Sequence, residues 1–336
     1  MEEMDVFRFI VNGKEVETKE DKPLLRFLRD DLKCKSVKDG CSEGACGTCT
    51  ILIDGKAVRS CILSTKKAVG KNIVTVEGLS LQEKEAYVYA FGRAGSVQCG
   101  FCIPGMVMSA KALIDVNPNP TEEDIKKAIR SNICRCTGYK KIIEGIALAA
   151  KVLRGEEKIQ SELESGEDYE VGQSAFRVDV REKVLGTGEY PDDVEMENMV
   201  YGGAVRTEYP RAKILKINTE AAESLPGVLA ILKAEDVPNN KVGHIQQDWD
   251  VMIAEGDTTR CIGDALCLIV AETPSILEAA KKLVKVEYEV LEPVRSIAEA
   301  KAENAPKLHP NGNLCQQRHV TRGDAKAAIA GAKYVV

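Results

Sequence analysis

The sequence predicts an α+β chain of several domains, and three observations carry that prediction. The first 78 residues alternate short strand-like runs with Asn-Gly and Asp-Gly turns. Residues 79–154 change to helical periodicity, with apolar residues recurring at three- and four-residue intervals. Beyond an acidic stretch at 155–170, strand-like and helical segments alternate again over 171–336. A chain of 336 residues has room for two or three domains with cores of their own.

The elements follow in order. VFRFIVNGKEVETK reads as two strands around an Asn12-Gly13 turn, and Pro23 opens a helix through PLLRFLRDDL. CTILIDGKAVRSC is a second hairpin turning at Asp54-Gly55, and NIVTVEGL supplies a last strand near residue 78. Hairpin, helix, loop and hairpin in that order make a β-grasp-like domain over 1–78. The helices of 79–154 are LQEKEAYVYAFGRAG, PGMVMSAKALIDV, TEEDIKKAIRSNI and KKIIEGIALAAKVLRG; the third carries a Thr121 N-cap with Asp124 three residues on. GEEKIQSELESGEDYE, 155–170, is acidic and aperiodic and reads as a solvated linker. From 171 the runs MVYGGAVR, AKILKIN and VLAILK read as strands with a short helix at TEAAESLP. A strand, a helix capped around Thr273-Pro274 and another strand follow within 261–294.

Eight of the twelve cysteines fall into two groups of four. Cys41, Cys46, Cys49 and Cys61 have the C-x4-C-x2-C…C spacing of a plant-type [2Fe–2S] site. A loop supplying three of four thiolates must turn tightly around an inorganic core, and Gly40, Gly44 and Gly47 in GCSEGACGTC permit that. The hairpin returns Cys61 beside the loop. Structural zinc prefers short paired spacings, which this pattern fits poorly. Cys99, Cys102, Cys134 and Cys136 form the second group, in VQCGFCIPG and NICRCTGY. Four cysteines exceed a thioredoxin-like pair, and the C-x-C element among Gly100, Pro104, Gly105 and Gly138 favours a second [2Fe–2S] site over zinc. An antiparallel packing of the helices would bring its two halves together. Cys34, Cys261, Cys267 and Cys315 have no ligand spacing and read as small core residues.

Composition excludes several classes. With 44% hydrophobic and 29% charged residues and a formal charge of -6, the chain is ordinary for a globular protein and lacks a nucleic-acid surface. No run of 18 apolar residues appears, and the start, MEEMDVFRFIVNG, is no signal peptide, so the expectation is a cytoplasmic protein without membrane contact. Twelve cysteines in a reducing compartment point to metal binding rather than disulfides. His244, His309 and His319 are scattered and read as surface or satisfied polar residues, and QQDWDVMIAEGD around Trp249 as a surface loop. No dinucleotide fingerprint, P-loop or nucleophile elbow is present.

GCSEGACGTCTILIDGKAVRSC together with VQCGFCIPGMVMSA and RSNICRCTGYKKI closely resembles the iron–sulfur region of the molybdenum hydroxylases, the xanthine dehydrogenase and aldehyde oxidoreductase family. The resemblance covers the first 150 residues and implies a ferredoxin domain followed by a four-helix [2Fe–2S] domain. It also implies that Gln98 and Cys136 face the pterin of a molybdopterin cofactor. Residues 171–336 look like the α/β hammerhead domain of the same enzymes. No flavin domain separates the two portions, so a flavin subunit or a soluble acceptor is expected as the electron-accepting partner. The chain stops at Tyr334-Val335-Val336, in what reads as the hammerhead's final strand. The large molybdopterin-binding portion, with the family's glutamate base, is then expected on a missing part or a partner chain. The implied function is the electron-transfer portion of an oxidoreductase, with no catalytic residue of its own and no turnover alone. The alternatives are a scaffold with two structural zinc modules, or a stand-alone [2Fe–2S] carrier.

Overall fold

A computed structural model describes residues 6–159, 172 and 176–336. The chain divides into two compact units after Val194. Most of the expected linker, 160–170, lies outside the described residues.

The first unit begins with the β1 (Phe7–Val11) and β2 (Lys14–Thr18) hairpin. Asn12 and Gly13 both take positive φ, 51° and 78°, the type I′ geometry whose twist matches the strands it joins. Phe7, Phe9 and Val11 are buried while Arg8 and Ile10 are exposed, so the two-residue period directs one face to the core. The expected single helix after Pro23 is instead one α turn, α1 (Leu24–Arg26), widening into a π turn over Phe27–Asp31. That widening keeps Leu24, Leu25, Phe27 and Leu28 all buried. Strands β3 (Thr50–Ile53), β4 (Lys56–Arg59) and β5 (Asn72–Val74) complete a sheet of order β2-β1-β5-β3-β4. The β1/β5 pair is parallel and the other pairs are antiparallel. Phe9 and Phe27 meet edge to face in its core.

Four helices follow: α2 (Leu81–Arg93), α3 (Ile103–Val116), α4 (Glu122–Ile129) and α5 (Lys140–Leu153). Reciprocal capping boxes start α2 (Ser80 with Glu83) and α4 (Thr121 with Asp124). Helix α3 packs on strand β3, and Leu52 of that strand joins the helical core. One assignment is corrected here. Residues 176–194, expected at the start of the third domain, pack on the first unit. The short helix α6 (Val180–Leu185) lies against α2 and α3, with Val180 and Val184 in their core and Phe176 against Tyr89. Spaced four apart, the two valines share one face, and burying it is what holds the segment there.

The second unit contains β6 (Tyr201–Arg206), β7 (Ala212–Asn218), α7 (Glu220–Glu223), β8 (Val228–Leu232), β9 (Lys241–Val242) and β10 (Trp249–Asp250). Then come β11 (Ala265–Ala271), α8 (Pro274–Leu283), β12 (Lys285–Val290), α9 (Ile297–Lys301) and α10 (Ala325–Ala330). Strand β11 is central between β6 and β8, while β7 pairs with β12 and β9 with β10. Thr273 caps α8 through the Ile276 amide, and α8 lays Leu277 and Ala280 onto the β6–β11 sheet.

Three further expectations change. Tyr334–Val336 form no strand, because no neighbouring strand pairs with them. Trp249 lies in a short paired strand rather than a loop, with its ring against His309. Cys34 and Cys267 are buried, whereas Cys261 and Cys315 are exposed. Among the described residues no helix is long and apolar enough to cross a membrane.

Candidate iron–sulfur sites

The first cysteine group is brought together by the β3–β4 hairpin. The amide and hydroxyl of Ser60 both donate to the Cys49 carbonyl, at 3.2 and 3.0 Å, which sets Cys61 beside the loop that holds Cys41, Cys46 and Cys49. Within the loop the Cys46 amide points at Cys41 Sγ, 3.4 Å away, and Arg59 donates to the Gly44 carbonyl. Thr48 Oγ1 lies 3.2 Å from Cys46 Sγ and donates to the Lys38 carbonyl. The loop is packed tightly enough that a Cβ on Gly40 would stand 3.0 Å from Cys46 Sγ.

These contacts tune the thiols. Amides of Cys46 and Glu43 hold Cys41 down at about 7, while burial, and then the neighbouring Cys49, pushes Cys61 up to about 12. The thiolate is the ligating form, so a cluster held here would meet Cys41 already disposed to bind and would have to displace the proton of Cys61. Cys41 in cluster-free chain is therefore expected to alkylate half-maximally near pH 7, because its thiolate population rises through that value. Peptide-mapped iodoacetamide rates against pH check this; a midpoint near the ordinary thiol value of 9.0 would remove the argument.

The second group lies at helix ends, as the sequence implies. Cys99 and Cys102 precede α3, and Cys134 and Cys136 follow α4. Cys136 Sγ and Cys99 Sγ are 3.6 Å apart; Thr137 donates to Cys134 Sγ at 3.1 Å. The Tyr139 hydroxyl accepts from the Cys134 amide at 2.9 Å. Burial opposes ionisation of Cys134, but the Thr137 hydroxyl and the Cys136 and Thr137 amides outweigh it and lower its pKa. Burial raises Cys102, with Cys134 adding to it. Cys102 and Cys134 are buried, whereas Gln98, Cys99 and Cys136 are exposed.

The two sites are wired together by main chain. The Ile133 amide donates to the Cys46 carbonyl at 2.8 Å, so a member of the first cysteine group and the neighbour of Cys134 in the second share a hydrogen bond. Buried Asn132 donates to the Gly47 carbonyl at 2.9 Å and accepts from Ser109 at 2.8 Å. Thr48, Asn132 and Tyr139 were not legible as site residues, since an isolated polar residue carries no spacing signal. Among the described residues no group of three or more His, Cys, Asp or Glu side chains is arranged to hold a single metal ion. His309 is satisfied by Asp248 at 3.1 Å, and His244 and His319 are exposed. The donor set itself, four thiols per site with the Cys46 amide and the Thr137 hydroxyl aimed at sulfur, fits an iron–sulfur cluster.

Comparison with known proteins agrees with that chemistry. Residues 9–73 match the family model described as 2Fe-2S iron-sulfur cluster binding domain, and 75–147 the [2Fe-2S] binding domain. Residues 185–292 match the aldehyde oxidase and xanthine dehydrogenase a/b hammerhead domain. A nicotinate dehydrogenase small FeS subunit from Eubacterium barkeri is 44% identical over 144 residues, covering 42% of this chain and 92% of that protein. The chain belongs to the molybdenum hydroxylase family. Its membership, with two 2Fe-2S binding domains, displaces the reading as a zinc scaffold. Another member, an aldehyde oxidoreductase from Megalodesulfovibrio gigas, is 32% identical over 320 residues, 90% of this chain. The chain spans only 35% of that relative's length. The crystal structure of the aldehyde oxidoreductase from Desulfovibrio desulfuricans superposes with a TM-score of 0.80 at 31% identity, covering 92% of this chain and 36% of that one. Both relatives therefore extend their likeness across the iron–sulfur and hammerhead parts together.

Proposed function

We propose that this chain is the electron-transfer portion of a molybdenum hydroxylase, carrying electrons from a molybdopterin cofactor to an external acceptor. The observation that carries the reading is the Cys46 carbonyl to Ile133 amide bond, which couples two separate four-cysteine sites at 2.8 Å. Bound at these cysteines, [2Fe–2S] clusters would supply one-electron oxidation and reduction. The residues of the chain hold the two sites in fixed register: Asn132 and Ile133 clamp the first loop to the second. Gln98 and Cys136, exposed beside Cys99, form the edge offered to the pterin, and Cys41, Cys46, Cys49, Cys61, Cys99, Cys102, Cys134 and Cys136 are the ligands. The partners in this reading are a molybdopterin-binding portion and a flavin subunit or soluble acceptor. The substrate is an aldehyde or an N-heterocycle. The domain limits 1–78 and 79–154 belong to the same reading, with the hammerhead part of 171–336 beginning after the segment 176–194 that packs on the first unit, as does a cytoplasmic location, the reducing compartment suited to cysteine-held clusters.

Metal analysis tests it. Protein purified without oxygen is expected to carry about four iron and about four acid-labile sulfide per chain. Stoichiometric zinc with no sulfide would overturn the proposal.

A further inference from the structure

The segment after α6 touches both cysteine sites, and its contacts are unusual for a surface strap. Lys38 is among the largest fully buried side chains of the protein, 1% exposed, and it lies three residues before Cys41. Its Nζ stands 3.4 Å from Asp193, a carboxylate whose side chain is 4% exposed and which also takes Arg29 at 2.6 Å. Arg29 in turn donates to the carbonyls of Lys35 and Val37, at 3.3 and 2.8 Å, so Asp193 fixes the chain that leads into the first loop. A charged group is kept this far from water only when it is paired, and here one carboxylate answers two cations.

Three residues earlier, Tyr190 serves the other site. Its hydroxyl donates to the Cys99 carbonyl at 2.8 Å, and its amide donates to Asp193 at 3.2 Å. The ring packs edge-on to Phe101 at 5.1 Å and carries Lys38 and Lys183 over it, 4.8 and 4.2 Å from its centroid. On the first side, the Lys38 carbonyl accepts the Thr48 hydroxyl, whose oxygen is 3.2 Å from Cys46 Sγ. A continuous path of Cys46, Thr48, Lys38, Tyr190 and Cys99 therefore runs beside the main-chain link.

We propose that Lys38, Tyr190 and Asp193 are positioning residues that join the two cysteine sites and set their reduction potentials. This rests on the two-cluster reading above. Hydrogen bonds and net charge near the ligands are what tune such potentials. Donation by Tyr190 draws electron density from the Cys99 residue and favours the reduced, more negative state. The Lys38 ammonium, held by Asp193 over the Tyr190 ring, favours it at both sites.

The test is an EPR-monitored redox titration of the full chain carrying both clusters, with iron and sulfide assayed on the same sample. Tyr190→Phe keeps the ring and its packing and removes only the hydroxyl. It should make the Cys99 site about fivefold harder to reduce, about 40 mV at 59 mV per tenfold for one electron, and leave the Cys41 site unchanged. Lys38→Met should shift both sites the same way, and Lys38→Arg should restore them. Wild-type potentials in Tyr190→Phe would overturn the proposal, whatever happens to its melting temperature. That variant also decides the matter if Lys38→Met fails to fold. Unaltered chain without iron and sulfide would instead sink the two-cluster reading.

Discussion

Cys46→Ser is expected to remove one of two reduced-state EPR signals and to lower iron from about four to about two per chain, leaving the second signal intact. The expectation follows from where the side chain sits. Cys46 Sγ approaches Thr48 Oγ1 and stands in the loop that leads into β3, while the second group hangs from the ends of α3 and α4. The contact that Cys46 makes across to the second site is through its carbonyl, which serine retains. The substitution therefore deletes a proposed ligand without unpairing Ile133. Simultaneous loss of both signals would mean that the two sites are not independent, and would contradict the assignment of four cysteines to each.

Much of this was legible in the residues, because the features involved are local. Asn12-Gly13 and Asp54-Gly55 can only be tight turns between alternating strands, and the φ values at all four positions are positive. Thr121 with Asp124 and Thr273 before Pro274 announce helix starts that the structure reproduces. The cysteine spacings point to both proposed sites for the same reason: ligands separated by one to four residues must turn together. What the sequence concealed is non-local. Val180 and Val184 carry an apolar face whose destination, α2 and α3 rather than the following strands, depends on geometry some 90 residues away. Lys38 is more hidden still. A lysine three residues before a cysteine loop reads as solvated, and only Asp193, folded back over 155 positions, makes its burial possible. The π turn at Phe27–Asp31 belongs to the same class, since no propensity distinguishes it from a regular helix.

Gly47→Ala is expected to cost about 4 kcal/mol, among the largest single-methyl effects in the chain, and two control glycines separate its causes. Gly47 has φ +72, where an L side chain is disfavoured, and a Cβ there would stand 2.2 Å from the Ser131 carbonyl oxygen. That oxygen is main chain adjoining Asn132, so it cannot swing aside as a side chain would. Gly13 shares the positive φ, +78, but a Cβ would meet nothing within 4 Å; Gly13→Ala isolates the backbone cost, about 1 kcal/mol. Gly105 lacks the positive φ but faces the same seam, its Cβ falling 2.6 Å from the Gly47 carbonyl oxygen; Gly105→Ala isolates the steric cost, about 1–3 kcal/mol. Denaturant unfolding of the first unit should rank the three with Gly47→Ala worst and Gly13→Ala mildest. Gly47→Ala should also shed iron from the Cys41 site first, because the loop must leave Asn132 and Ser131 to make room. The Gly47→Ala/Gly105→Ala pair should fall short of additivity, since a seam opened by one methyl already admits part of the other. If Gly47→Ala were no worse than Gly13→Ala, the loop and the helical domain would not be in the contact on which the link between the two sites depends.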